Sequence, residues 1–350
     1  MINRWLLPLA WVYGIAVRLR NKLFDAGVLR SQSFDIPVIA VGNITVGGSG
    51  KTPHVEYLLR LLSGSRRVAV LSRGYKRKSK GYRLAGLTTT MPEIGDEPYQ
   101  MSRKFANVYV AVDADRCNGI RRLTSDEATK DVSVVVLDDA FQHRYVKPGL
   151  NILLIDSQRL ITRDALLPAG RLREPQEGKS RADLVVVTKC PKSFGNADFD
   201  SIAAELALDS RQQLFFSALE YDSLQAIYTD RKLPLSELSP ETHILVFTGI
   251  ASPRQLISEL REHSQNVTTM LFPDHHQFSA SDIERLNAMF ASLPEPRIVV
   301  TTEKDSARLV GMEGLSDNVR RNIYRLPIRI RFLRDGEEAF NRQIQSFINK

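Results

Sequence analysis

The chain has 350 residues, 43% of them hydrophobic and 25% charged, and its 48 Lys and Arg against 40 Asp and Glu leave a net charge of +8. That length suits two domains, and the composition excludes an intrinsically disordered chain, a collagen-like repeat and a disulfide scaffold. Its two cysteines, Cys117 and Cys190, form no CxxC pair and read as reduced cytosolic thiols, while the basic excess implies anionic partners.

Residues 5–17 (WLLPLAWVYGIAV) carry no charge and are bracketed by Arg4 and by Arg18, Arg20 and Lys22. As a helix this stretch is about 20 Å long, short of the ~30 Å hydrocarbon core of a bilayer. Arg18 stands where a signal peptide would need a small-residue cleavage site. With both tryptophans of the chain and flanking cations, it reads as a helix lying in an anionic membrane interface.

From residue 36 short apolar runs alternate with helical stretches. Strands are expected at 36–41, 67–72, 107–112, 132–137, 151–155 and 182–188; they lack polar alternation, as strands covered on both faces of a parallel sheet do. Val55, Leu58, Leu59 and Leu62 fall on one helical face. Two consecutive runs, 214–219 and 224–228, have no helix between them and suggest a two-stranded connector. A second βα series follows at 244–248, 267–272 and 298–302, with helices from about 253 and 279. The expected fold class is therefore α/β, a P-loop kinase-like α/β/α sandwich with a second, smaller α/β domain. Its expected parts are an N-terminal helix (1–30), a nucleotide-binding domain (31–221), a smaller domain (222–327) and a C-terminal helix (328–350) packing back on the larger one.

The most informative segment is 36–59, IPVIAVGNITVGGSGKTPHVEYLL, in which a buried strand meets a glycine-rich turn and then an amphipathic helix. That is the context a phosphate-binding loop requires. Backbone N–H groups of Thr45, Val46, Gly47, Gly48, Ser49 and Gly50 would wrap a phosphate chain, Lys51 would bridge its end, and the Thr52 hydroxyl would ligate Mg²⁺. The strict pattern has glycine where Thr45 stands. Asp138 and Asp139, after the apolar run 132–137, supply carboxylates for the metal side, one of them alternatively capping a following helix. Gln142 and His143 lie close behind.

Guanine reading would need an aspartate where Pro191 stands in Thr188-Lys189-Cys190-Pro191, so ATP is expected rather than GTP. A partitioning-type ATPase would carry a lysine at Val46. The basic run at 66–83 lacks the interleaved aromatics of a nucleic-acid groove, apart from Tyr75 and Tyr82, so no nucleic acid is expected.

With VGNITVGGSGKTP, SRGY, GDEP, LDDAFQHR, LLPAGRLREP, TGIA, FPDHH (closed by Phe278) and TEKD, the chain resembles the tetraacyldisaccharide 4'-kinase (lipid A 4'-kinase) family from its N-terminus to about Asp305. The resemblance implies ATP- and Mg²⁺-dependent phosphorylation of the 4'-hydroxyl of an acylated disaccharide 1-phosphate at the cytoplasmic face of the bacterial inner membrane. It also implies two α/β domains joined by a two-stranded linker. Asp96 of GDEP then looks like the base for the sugar hydroxyl and His275 its partner, with His276 the alternative. Asp138 and Asp139 look like the Mg²⁺ side, and Arg73, Arg116, Arg171, Gln142 and His143 look like phosphate or substrate contacts. The competing expectation is a membrane-associated P-loop ATPase acting as a switch or partitioning protein.

Overall fold

Strands without polar alternation need cover on both faces, and here they receive it. The structure, a computed structural model, describes every residue except Met1, Ala251 and His275. After a short turn, α1 (Leu7–Asp25) leads into β1 (Val38–Gly42), α2 (Lys51–Ser63), β2 (Val68–Ser72), β3 (Arg83–Leu84), α3 (Met91–Ile94), α4 (Asp96–Lys104), β4 (Val108–Val112) and α5 (Arg116–Ser125). Then follow β5 (Val134–Asp138), β6 (Leu150–Asp156), β7 (Leu184–Thr188), α6 (Asn196–Leu206), β8 (Gln213–Tyr221), β9 (Leu224–Ala226), β10 (Lys232–Leu233) and β11 (His243–Thr248). The chain ends with α7 (Arg254–His263), β12 (Val267–Leu271), α8 (Ala280–Ser292), β13 (Arg297–Thr302), α9 (Glu303–Leu309), α10 (Asp317–Asn322), β14 (Ile323–Leu326), β15 (Ile328–Phe332) and α11 (Gly336–Ile348).

Two compact units result, one of Met1–Leu219 with Ile330–Lys350 and one of Glu220–Arg329. The larger holds a nine-stranded sheet in the order β15-β8-β7-β6-β1-β5-β2-β4-β3. Its β8-to-β4 strands pair in parallel and β3 closes one edge antiparallel. Every residue of β1, β2, β5 and β7 is buried. Alternate residues of β1 face opposite layers: Ile39 and Val41 meet Val55, Leu58, Leu59 and Leu62 of α2 and Phe340 and Ile344 of α11, while Val38 and Ala40 meet Ile120 and Leu123 of α5.

The smaller unit has a six-stranded sheet, β10-β9-β14-β13-β11-β12, parallel from β14 to β12, with an apolar cluster on each face. The run 224–228 begins with β9, which pairs antiparallel with β14 in the smaller sheet. The chain leaves the larger unit within β8 and returns within β15, and these two strands are the neighbours. On its other side β9 pairs antiparallel with β10, which forms the edge of the smaller sheet.

Helix α1 has two unlike faces. Ala10, Gly14 and Phe24 are buried, and a Cβ on Gly14 would lie 2.7 Å from Leu166. Leu9, Trp11, Val12, Ile15 and Leu19 are exposed, as is Trp5, by 93%, in the turn that precedes the helix. No helix among the described residues is long and apolar enough to cross a membrane.

Candidate active site

The C-terminal ends of parallel strands gather ligands, because loops there diverge and helix N-termini point inward. At the end of β1 the chain turns through Gly47 (φ 112°) and Gly50 (φ 83°) into α2, left-handed conformations that suit glycine. The turn is held from several sides. Asn43, fully buried, donates to Ser49 Oγ at 2.8 Å and to Thr45 Oγ1 at 3.2 Å. Thr188 Oγ1 donates to the Ser49 carbonyl at 2.9 Å, and Lys189 Nζ donates to the Gly48 carbonyl while pairing with Asp156 at 2.8 Å. His54 Nδ1 lies 2.7 Å from the Gly50 carbonyl, an obligate acceptor, so Nδ1 carries the proton and Nε2 accepts from Ser217 Oγ at 3.0 Å. Thr45 and Val46 are joined to the segment carrying Arg171, Val46 N–H donating to its carbonyl at 2.8 Å. Lys51 and Thr52 open α2 beyond this cradle.

Beside it, at the end of β5, Asp138 is buried and accepts from Ser72 Oγ at 3.1 Å. Burial first, then the carboxylates of Glu97 and Asp139, push its carboxyl up to about 7, against Lys51 and the Ser72 hydroxyl. For Asp139 burial pulls upward, but Lys51, Arg173 and Arg116 prevail and hold it below the usual carboxylate range. Lys51 Nζ is 3.7 Å and Arg173 Nη2 3.0 Å from Asp139 Oδ1. No helix starts after Asp139, whose φ is 48°, so neither aspartate is a helix cap. No trio of His, Cys, Asp or Glu among the described residues forms a metal cage. Thr52, Asp138 and Asp139 instead present one hydroxyl and two carboxylates next to a phosphate loop. That donor set fits Mg²⁺, which takes one or two carboxylates and completes its shell with phosphate and water.

The third part is a pair of interlocked turns. A Cβ on Gly95 (φ 91°) would lie 2.9 Å from the Tyr75 carbonyl, and one on Gly74 (φ 68°) 2.9 Å from the Ile94 carbonyl. The SRGY and GDEP motifs therefore meet backbone to backbone, and Asp96 follows as the first residue of α4. Glu56 of α2, 2% exposed, fixes that helix by accepting from Lys104 (2.7 Å), Gln100 (2.9 Å) and Arg60 (3.0 Å). Arg116 at the start of α5 is 3% exposed, and its Nε is buried with no partner. Burial lowers its pKa, opposed by Asp138 and reinforced by Arg73. Arg73 and Arg171 are exposed, the latter with its guanidinium near Gly47. Gln142 and His143 are half-buried; burial and Arg116 hold the His143 imidazole neutral, down to about 4, and its Nε2 is buried without a partner.

In the smaller unit the TGIA and TEKD motifs meet. Asp305, fully buried, accepts from Thr248 Oγ1 (2.6 Å), Gly249 N–H (3.0 Å), Thr302 Oγ1 (2.8 Å) and Arg308 (2.9 Å), clasping the ends of β11 and β13. His276 Nε2 lies 2.9 Å from Asp282 Oδ2 and its ring stacks on Phe272 at 4.6 Å, an anchored position. His275 lies outside the described residues.

Sequence reasoning missed Asn43, His54, Lys189 and Arg173. The LREP motif contained Arg173, but Arg171 alone was selected; Leu172 is buried between them and both guanidinia reach the loop. The contacts of Asn43 with Arg173 and of Lys189 with Gly48 span 130 and 141 residues, so no local pattern reports them.

The family described as "Tetraacyldisaccharide-1-P 4'-kinase" matches residues 2–349. Proteins named tetraacyldisaccharide 4'-kinase from Phocaeicola vulgatus and Bacteroides thetaiotaomicron are 51% and 49% identical, each alignment covering 100% of this chain and 96% or 94% of the relative. A crystal structure of the Aquifex aeolicus protein LpxK in complex with ATP aligns over 99% of this chain and 100% of its own, with a TM-score of 0.77 and 32% identity.

Proposed function

The chain belongs to the tetraacyldisaccharide-1-phosphate 4'-kinase family, and from that premise we infer that it transfers the γ-phosphoryl group of ATP to the 4'-hydroxyl of an acylated disaccharide 1-phosphate in lipid A biosynthesis. The loop from Thr45 to Thr52 binds the triphosphate, with Lys51 exchanging Asp139 for phosphate oxygens. Thr52, Asp138 and Asp139 would hold Mg²⁺, which when bound neutralises charge on the phosphates. Asp96 takes the proton of the 4'-hydroxyl as its oxygen bonds to the γ-phosphorus and the bond to the β–γ bridging oxygen breaks, releasing ADP. The family motif that carries it gives His275 a part in the reaction, and Arg73, Arg116, Arg171, Gln142 and His143 contact the transferring group or the sugar.

The observation that supports this most is the convergence, at the ends of β1, β2 and β5, of a phosphate cradle, a carboxylate pair of buried Asp138 and half-buried Asp139, and the anchored GDEP turn. The exposed apolar face of α1 supports a position on the cytoplasmic surface of the inner membrane, from which an amphiphilic acceptor is reached. Tyr13 OH donates to the Arg173 carbonyl at 2.7 Å and Arg20 to the Gln142 carbonyl at 3.5 Å, so this helix rests on site-bearing segments. ADP release with and without the lipid tests the reading. A kinase consumes ATP only with the acylated disaccharide; equal hydrolysis without it would point to an ATPase switch.

A further inference from the structure

Asp139 can turn to a metal ion only if the two cations now on it can leave. Lys51 Nζ and Arg173 Nη2 meet the same oxygen, Asp139 Oδ1, at 3.7 and 3.0 Å. Lys51 has phosphate oxygens to go to. Arg173 is fixed at its main chain: its N–H donates to the Ile44 carbonyl at 2.8 Å, and its carbonyl accepts from Tyr13 OH at 2.7 Å. Its Nε is already buried with no partner, so a guanidinium drawn off Asp139 needs another acceptor close by.

Asn43 supplies that acceptor. Nη2 also donates to the Asn43 carbonyl at 3.1 Å and to Asn43 Oδ1. Nη2 carries two protons and faces three acceptors, so Asn43 and Asp139 share it. The amide can face only one way. A guanidinium only donates, so Oδ1 must point to Arg173, and Nδ2 then donates to Ser49 Oγ at 2.8 Å and to Thr45 Oγ1 at 3.2 Å. Asn43 is fully buried, so none of these bonds is exchanged for one to water. One side chain thus joins the phosphate loop to the arginine that occupies Asp139.

We propose that Asn43 is a positioning residue for the metal side of the site: it keeps the Arg173 guanidinium when Asp139 gives it up, so the carboxylate is released to Mg²⁺ without leaving a buried donor bare. The proposal rests on the metal reading above. Without the amide, Arg173 stays on Asp139, and a guanidinium fixed beside that carboxylate opposes a divalent cation.

Asn43→Ala, Asn43→Asp, Arg173→Met and the pair Asn43→Ala with Arg173→Met are titrated by calorimetry with the β,γ-imido analogue of ATP, without lipid, in Mg²⁺ and in EDTA. Melting temperatures are taken in parallel. The quantity read is the ratio of the two affinities, the advantage that Mg²⁺ confers. Loss of a loop brace alone weakens both bindings and leaves the ratio unmoved. Asn43→Ala is expected to lower the ratio about ten-fold, the worth of a hydrogen bond to a charged group. Asn43→Asp retains an acceptor for Arg173 and should keep the ratio, although its added negative charge weakens both bindings. In Arg173→Met the competitor is gone, so the ratio holds or rises, and adding Asn43→Ala no longer lowers it.

An unmoved ratio in an Asn43→Ala variant of normal melting temperature overturns the assignment, and so do Asn43 and Arg173 effects that add independently. Asn43→Asp and Arg173→Met decide even where Asn43→Ala does not fold. A ten-fold fall of the ratio in either one overturns the assignment, the second because the guanidinium then serves the nucleotide directly. An unaltered chain whose binding is indifferent to Mg²⁺ defeats the metal reading itself, whereas a ratio left unmoved by Asn43→Ala defeats only the part given to Asn43.

Discussion

At the scale of single residues the site separates binding from chemistry. Asp96 stands on α4, apart from the loop that cradles phosphate, so Asp96→Ala should keep ATP affinity while kcat falls about 10²–10⁴-fold, the usual contribution of a positioned base. Nucleotide titration beside steady-state rates checks this; near-normal turnover removes Asp96 from the mechanism. His54 carries a different consequence. Burial holds its imidazole neutral, down to about 4, against weaker help from the Gly50 carbonyl. The unfolded chain takes up that proton near 6.5, so the fold is favoured fully above 6.5 and loses about 1.4 kcal/mol per pH unit as pH falls toward 4, about 3 kcal/mol in all. His143 adds a smaller share of the same sign. Denaturant unfolding between pH 6.5 and 4.5 should therefore depend less steeply on pH in His54→Gln; an unchanged slope contradicts the assignment. His54 was not legible in its role from sequence. His54 is one polar residue on an apolar helix face, and its partner Ser217 lies 163 positions away.

At the scale of elements, legibility followed burial. The parallel strands and α2 announce themselves because residues covered on both faces, or on one helical stripe, must be apolar without interruption. The phosphate loop was legible for the same reason, since strand, glycines and helix are contiguous. What joins α2 to α4 was not, because Glu56 finds Gln100 and Lys104 across 44 and 48 residues. That cluster fixes the helix on which Asp96 sits. Glu56→Ala should cost about 3 kcal/mol, the low end for breaking a buried ion pair, because Arg60 and Lys104 keep part of their hydration. It should lower kcat as well, and Glu56→Gln should lose less of both. Unchanged melting and unchanged rate in Glu56→Ala would detach α4 from this account. The pairing of β8 with β15 was hidden likewise, as edge neighbours far apart in the chain carry no shared local signal.

Across the whole molecule the +8 charge now divides by use. Of the arginines at 320–334, several are taken up singly: Arg320 over the Tyr228 ring, Arg325 with Gln225, Arg329 with Asp222 and Arg334 with Asp200. Four of its six arginines are thus engaged within the chain. In the 66–83 run Arg66, Arg67 and Arg77 likewise bind Asn349, Asp131 and the Val112 carbonyl. The N-terminal charges flank an apolar face that the fold leaves open. Replacing Trp5 and Trp11 together by Ala should weaken binding to anionic vesicles by about ten-fold or more, with ATP affinity unchanged. Equal vesicle binding would mean that α1 is not the contact. The central claim is narrower still: the phosphoryl group moves from ATP to one particular oxygen. Incubating the chain with ATP, Mg²⁺ and the disaccharide 1-phosphate, then locating the new phosphate by ³¹P and ¹H NMR of the product, tests it most directly. The account predicts a bisphosphorylated lipid carrying the added group on the 4'-oxygen, and none when Lys51→Ala replaces the unaltered chain. Inorganic phosphate with unmodified lipid, or a phosphate on any other position, would contradict it.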